Sequence, residues 1–239
     1  MDENAFFKLP RLYVDMPLAA GSAIPLSPEQ AHYFKTVLRR QDGDPVRLFN
    51  GRDGEWRCAL KNLGKKGGLA VAAEQIRAQP DAAPGVHLYF APIKKSRMDW
   101  LIEKAVELGA THLHPVLTQN TEVREINTKR LRQQVFEAAE QCERLDLPEL
   151  CDMVKLQTLP EGLPMLACLE RAKAAPITAA LKPKAVACIL IGPEGGFTAA
   201  EAAWIGGQKN WTPVSLGPRI LRSETAACMA LAAVLLDRS

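Results

Sequence analysis

The sequence predicts an α/β domain with a mainly parallel sheet, preceded by a small β-barrel domain. Three observations carry this. Up to residue 78, short extended runs alternate with Gly-rich turns around one helical pattern, as in a small barrel. Gln79-Pro80-Asp81-Ala82-Ala83-Pro84-Gly85 then has the composition of a linker. Beyond it, strands alternate with amphipathic helices, and Val186 to Ile191 is apolar throughout, which fits a strand covered on both faces. The expected domains are 1–78 and 79–239.

In chain order, Arg11 to Val14 reads as a short extended run. Ser27-Pro28-Glu29-Gln30 is a capping-box pattern with Pro at the first helical position, and its helix is expected to run through Arg40. Strands follow at Pro45 to Phe49 and Glu55 to Lys61, joined by the turn Asn50-Gly51-Arg52-Asp53-Gly54, whose Gly pairs suit positive φ. The turn Gly64 to Gly68 leads to a strand at Leu69 to Ala72. After the linker, Val86 to Ala91 is a strand. Ser96 is placed to cap a helix with Met98, Leu101, Ile102, Ala105 and Leu108 on one face, ended by Gly109. His112 to Leu117 is a strand and 129–143 a helix striped by Leu131, Val135, Ala139 and Cys142. Residues 155–185 give only a weak pattern. Val186 to Ile191 is a strand, Thr198-Ala199-Ala200-Glu201 a second capping box whose helix stops near Gly206-Gly207, Val214 to Leu216 a short strand and Ala226 to Leu236 a helix of small apolar residues.

Composition narrows the class. The 239 residues are 47% hydrophobic and 24% charged, so a sizeable core needs neither disulfide nor metal. No apolar run approaches the ~18 residues of a membrane helix. Met1 to Pro10 does not read as a signal peptide, which makes cytoplasm the expected compartment. The six cysteines lack CxxC spacing and only four histidines accompany them, so no metal site is expected and the thiols read as reduced core residues. Net charge is +3; residues 1–80 hold 12 Lys+Arg against 9 Asp+Glu and the remainder 18 against 18. The basic excess thus lies at one end, compatible with a nucleic-acid-binding module and also with an ordinary solvated surface.

The chemistry concentrates in two junctions. Ile191-Gly192-Pro193-Glu194-Gly195-Gly196-Phe197 follows an apolar strand; it lacks the Lys-Ser/Thr of a P-loop and the GxGxxG spacing of a dinucleotide fold. Its glycines let a ligand approach the backbone at a strand's carboxyl end. Leu216-Gly217-Pro218-Arg219-Ile220-Leu221-Arg222-Ser223-Glu224-Thr225-Ala226 opens the last helix. Ser223 or Thr225 can cap it and Glu224 suits its positive end. Two arginines there have no such explanation, and Arg222 is assigned to an anionic or carbonyl-bearing substrate.

These two junctions resemble the S-adenosylmethionine-binding motifs of the SPOUT methyltransferases. Within that class the chain is similar to the bacterial 16S ribosomal RNA uridine-N3 methyltransferases, through His32 to Arg39, Arg97-Met98-Asp99-Trp100 to Gly109, and Glu137 to Arg144. The resemblance covers about Arg11 to Leu235. It implies a PUA-like RNA-binding barrel, then a SPOUT-type, trefoil-knotted domain that acts as a homodimer with the last helix at its interface. S-adenosylmethionine would be the cofactor, and 16S rRNA in the small ribosomal subunit the partner. Cofactor-binding residues would be Thr118, Ile191, Gly192, Gly195, Gly196, Leu216, Gly217, Ile220, Leu221, Thr225 and Ala226. Arg222 is the candidate for charge stabilisation and Glu194 for the base; Glu194 can equally order its loop. Arg11, His32, Arg39, Lys94, Lys95 and Arg144 are the candidate RNA contacts. Many family members carry Arg-Ser where this chain has Asn120-Thr121; Arg124 is the candidate substitute. A 2′-O-ribose methyltransferase of the same class, and a non-catalytic RNA-binding assembly factor, remain as alternatives.

Overall fold

Period-two burial builds the first sheet. β1 (Arg11–Tyr13) is followed by β2 (Ala23–Leu26), in which Ile24 and Leu26 are buried while Ala23 and Pro25 are exposed, the pattern of a half-buried strand. The structure, a computed structural model, describes residues 6–82, 84–169, 174–181 and 185–238; Ala83 of the linker and parts of the weakly patterned stretch lie outside these. Ser27 caps α1 (Pro28–His32): its hydroxyl accepts from Gln30 N at 3.2 Å, and Gln30 Oε1 accepts from Ser27 N at 2.9 Å. The helix is shorter than expected. It continues as one π turn, Tyr33–Val37, and stops before Arg39, which sits at φ +53°. β3 (Pro45–Phe49), β4 (Glu55–Gly64) and β5 (Gly67–Arg77) complete a sheet of order β1-β3-β4-β5-β2, with β1 parallel to β3 and the other pairs antiparallel. Leu12, Ile24, Phe34, Val46, Leu48 and Leu60 fill its core.

This first compact unit comprises 1–81 together with 139–146. The sequence placed 139–146 in the later domain. A network of buried charges explains why it belongs here. The Arg11 guanidinium donates to Glu55 Oε1 at 2.6 Å and to the carbonyls of Ala139 and Arg144. Arg47 donates to Glu143 at 2.8 Å and Arg77 to the Glu143 carbonyl at 3.0 Å, while Tyr13 N donates to Glu140 Oε1 at 2.8 Å. Arg11, expected on RNA, is therefore a correction: it is 8% exposed and consumed by this network, because a buried charge needs a partner. Arg144 is another. Its guanidinium folds onto Asp146, with contacts of 2.9 and 2.6 Å.

The second unit comprises 82–138 and 147–239. Its elements are β6 (Val86–Phe90), α2 (Lys95–Glu107), β7 (His112–Leu117), α3 (Thr128–Gln141, whose last three residues belong to the first unit), β8 (Glu149–Leu150), β9 (Val154–Lys155), β10 (Met165–Cys168), β11 (Ala175–Pro176), α4 (Ile177–Ala180), β12 (Ala187–Ile191), α5 (Ala199–Gly206), β13 (Trp211–Ser215) and α6 (Ser223–Arg238). Ser96 does not cap α2. The cap position is Lys94, which makes no side-chain cap bond. All strands of the sheet pair in parallel, in the order β11-β13-β10-β12-β6-β7-β8, with β9 also on β7. β10 lies in the weakly patterned stretch and proves central, between β12 and β13. β13 starts three residues earlier than expected and tolerates Pro213, because β11 pairs only with Val214 and Ser215, leaving no ladder bond for the missing N–H. Thr198 caps α5 as predicted, with Glu201 closing the box. No helix among the described residues is long and apolar enough to cross a membrane.

Three of the four histidines stack on one face of β6 and β7. The rings of His87 and His112 lie 4.0 Å apart at 6°, and those of Tyr89 and His114 4.2 Å apart at 6°. His87 Nδ1 lies 3.0 Å from His114 Nε2. Burial, then the neighbouring imidazoles, pulls His114 down to about 4 and lowers His87 as well. Unfolding restores the ordinary value near 6.5, so the unfolded chain binds more protons as acidity rises. Stability is complete above about pH 6.5 and is lost as pH falls toward 4, by about 2 kcal/mol. Urea melts at pH 7 and 4.5 are expected to differ less in His114→Phe than in the wild type; equal slopes would remove the ladder from the pH response. No group of three or more His, Cys, Asp or Glu residues among the described residues is arranged to hold a metal, and all six cysteines are free.

Candidate active site

β10, β12 and β13 are neighbours, and the segments leaving their carboxyl ends converge on one cleft. This is where open α/β sheets bind ligands. The cleft holds about 1370 Å³ and is lined by Cys168 and Leu169 at the end of β10, by Ile191 to Phe197 at and beyond the end of β12, and by Val214 to Ser223 with Ala226 at and beyond the end of β13. Clefts that take one small ligand measure about 300–1,000 Å³, so there is room for a second reactant.

Local chemistry shapes the walls. Gly196 N donates to Pro193 O at 2.9 Å, closing a turn that places Gly196 at φ +69°, a conformation that favours glycine. At Gly192 a Cβ would come within 2.8 Å of the Phe197 ring, so glycine is needed for the ring to lie against the backbone. Ser223 opens α6, and its hydroxyl donates to the Gly192 carbonyl at 2.9 Å; it joins the two junctions. Ala226 N bonds to Arg222 O at 2.8 Å, which puts Arg222 at the N-cap. A cation is unfavourable there. Arg222 is exposed, lines the cleft, and makes no side-chain hydrogen bond or ion pair among the described residues.

Of the predicted site residues, Arg222, Glu194, Ile191, Gly192, Gly195, Gly196, Leu216, Gly217, Ile220, Leu221 and Ala226 all line this cleft. Thr118 and Thr225 do not. Thr118 is buried, with its hydroxyl 2.9 Å from that of Thr121, and Thr225 is exposed on the outer surface of α6. Glu194 forms an ion pair with Arg97, so its carboxylate is already engaged. His32 and Arg39 are exposed in the first unit, His32 with its ring 3.2 Å from the Thr36 hydroxyl. Lys94 and Lys95 are exposed in the second, Lys94 paired with Glu122 at 3.1 Å.

Two participants escaped the sequence reading. Arg97 lines the cleft, and Asn120 donates to the carbonyls of Gly195 and Gly196 at 3.2 and 3.0 Å. Both meet partners more than 70 residues away in sequence, and no local pattern marks such contacts.

The residues suit a flat, polar cofactor with an apolar part. The two junctions line the cleft together with the apolar side chains of Leu169, Ile191, Val214 and Ile220, and at Gly196 a Cβ would meet nothing within 4 Å.

Comparison with known proteins agrees with this geometry. A family model described as an RNA methyltransferase domain matches residues 81–235, and one described as an RNA methyltransferase PUA domain matches 26–72. The ribosomal RNA small subunit methyltransferase E of Rickettsia conorii is 36% identical over 96% of both chains. Its counterpart from Synechocystis is 35% identical over 97% of this chain and 78% of its own. A putative methyltransferase of Legionella pneumophila, solved with bound S-adenosylmethionine, superposes with a TM-score of 0.86 at 30% identity over 96% of this chain and 98% of its own. The ribosomal RNA small subunit methyltransferase E of Neisseria gonorrhoeae, also bound to S-adenosylmethionine, gives 0.85 at 26% identity with the same coverage.

Proposed function

This chain belongs to the RNA methyltransferase family, alongside the ribosomal RNA small subunit methyltransferases E, and from that premise we propose that it methylates N3 of a specific uridine in 16S rRNA of the small ribosomal subunit. It is an S-adenosylmethionine-dependent methyltransferase of the SPOUT type, with a PUA-like first domain. The observation that carries the specific reading is Arg222: an exposed guanidinium at the rim of a backbone-lined cleft, on the helix end least suited to a cation.

Ile191, Gly192, Gly195, Leu216, Ile220 and Leu221 would hold the cofactor. When bound, it supplies an electrophilic methyl on a sulfonium centre. The chain's own contribution is largely positioning, which supplies much of the rate of such a transfer. Uracil N3 carries a proton at neutral pH; it passes to solvent water as the methyl is transferred, and its loss leaves negative charge on the flanking carbonyl oxygens. A guanidinium offers five donors and no acceptor, so Arg222 serves as a stabiliser of that charge and not as the base. Glu194, held by Arg97, orders the glycine loop. The target base must be presented unstacked to reach the cleft; His32, Arg39, Lys94 and Lys95 are the exposed groups assigned to RNA.

We assign the homodimer to α6. Ala227 and Ala230 are buried within the chain, while Met229 is 47% exposed, offering an apolar side chain to a second copy. Light scattering is expected to read twice the 26.2 kDa of one chain; a monomer at micromolar concentration removes the assignment.

The test of the reaction is methylation of small subunits with labelled cofactor, then nucleoside analysis. Labelled N3-methyluridine is expected. Labelled 2′-O-methyl nucleosides would redirect the chemistry to ribose, and an absence of both cofactor heat and label would leave an RNA-binding protein.

A further inference from the structure

We infer that the turn Thr118–Thr121 is a positioning element for the glycine loop, with the side-chain amide of Asn120 as its latch. The inference rests on reading the cleft as the cofactor site.

The turn is braced by its own hydrogen bonds before it touches the loop. Thr118 N donates to Thr121 Oγ1 at 2.9 Å, the two hydroxyls lie 2.9 Å apart, and Thr121 N donates to Thr118 O at 3.3 Å. Both threonines are buried, at 5% and 3% exposure, which gives Thr118 a role away from the cleft. From this base the turn holds the loop at two places. Asn120 Nδ2 donates to two successive carbonyls, Gly195 O at 3.2 Å and Gly196 O at 3.0 Å. One residue earlier, Gln119 N donates to Glu201 Oε1 at 2.7 Å. The other oxygen of Glu201 accepts from Thr198 N at 2.9 Å and from the Thr198 hydroxyl at 3.1 Å, where the loop passes into α5. The loop is thus tethered at its middle and at its exit by one short turn.

The tether answers a weakness of the loop's composition. Three glycines among Gly192 to Gly196 give the backbone conformational freedom, and that freedom must be surrendered when a ligand binds. A loop already ordered surrenders less, and affinity rises accordingly. Glycine at 195 also permits the tether, since a Cβ there would sit 3.3 Å from Asn120 Cβ. The chemistry is specific. Two carbonyl oxygens require a donor, which an amide supplies and a carboxylate does not. Asn120 touches no reacting atom, so its effect belongs in cofactor affinity and not in turnover at saturating cofactor.

Asn120→Asp and Asn120→Ala in the full-length protein separate the latch from mere packing, because aspartate has the same shape and lacks the donor. Calorimetry with S-adenosylmethionine is expected to give dissociation constants raised about fivefold in Asn120→Ala and about tenfold or more in Asn120→Asp. Turnover at saturating cofactor is expected to stay within about twofold of wild type. In the cofactor-free protein, amide hydrogen exchange across residues 192–198 is expected to quicken in both variants, while the thermal midpoint holds because Asn120 is exposed. If Asn120→Asp binds the cofactor as wild type does, with unchanged exchange, the latch is overturned and the cofactor site stands. If the wild type itself gives no heat, the cofactor reading fails, and the exchange measurement still decides the latch.

Discussion

Glu55→Ala is expected to destabilise the first unit by about 3–5 kcal/mol, the range for removing one partner of a buried ion pair. The Glu55 side chain is fully buried and takes Arg11 at 2.6 Å, Arg77 at 3.2 Å and Arg47 at 3.5 Å. The side chains of Arg11 and Arg47 are 3% and 4% exposed, so neither can turn to water once the carboxylate is gone. Glu143 and the carbonyls of Ala139 and Arg144 would remain as partners, and they do not neutralise three guanidinium groups. Urea unfolding monitored by far-UV circular dichroism measures the loss. A companion, Glu55→Met with Arg11→Met, is expected to recover much of it, since a buried pair exchanged for apolar side chains of similar volume is often neutral. A loss under about 1 kcal/mol in the single variant would mean that water reaches the network.

The second large effect concerns turnover. Arg222→Ala is expected to lower kcat about 100- to 1,000-fold, the usual consequence of removing one group that stabilises charge developing in the transition state. Cofactor affinity is expected to change less than about threefold, because the cofactor is assigned to backbone groups of the cleft. Arg222→Lys keeps the charge and loses the planar fork, so it is expected to recover only part of the rate. Removing a cation from the N-cap of α6 relieves an unfavourable interaction, so the alanine variant is expected to be no less stable than wild type. Single-turnover rates on small subunits, with calorimetry for the cofactor, separate the two effects. Unchanged turnover would take Arg222 out of the mechanism.

Local determinants were legible in the sequence. The capping boxes at Ser27 and Thr198 form as read because each bonds groups within three residues of one another. The glycines of the two junctions marked the cleft for a similar reason: Gly196 and Gly217 adopt positive φ in its walls, a local backbone requirement. β10 was not legible, because Met165–Cys168 is a four-residue strand that owes its position to β12 and β13 on either side. The charge count in residues 1–80 misplaced Arg11, since composition does not distinguish a guanidinium in water from one sealed against Glu55. Arg97 and Asn120 were missed because their partners are supplied by the fold.

The sequence by itself determined the fold class and the two junctions that line the cleft, because periodicity, capping and glycine placement act over a few residues, and its motifs carried the resemblance to the family. Only the tertiary structure decided which charges are available for chemistry. It consumes Arg11 in a buried network, ties Glu194 to Arg97 and leaves Arg222 exposed at the cleft. The physical reason is that a charged side chain's work depends on the partner and the solvent around it, and for these residues the fold supplies both from distant parts of the chain.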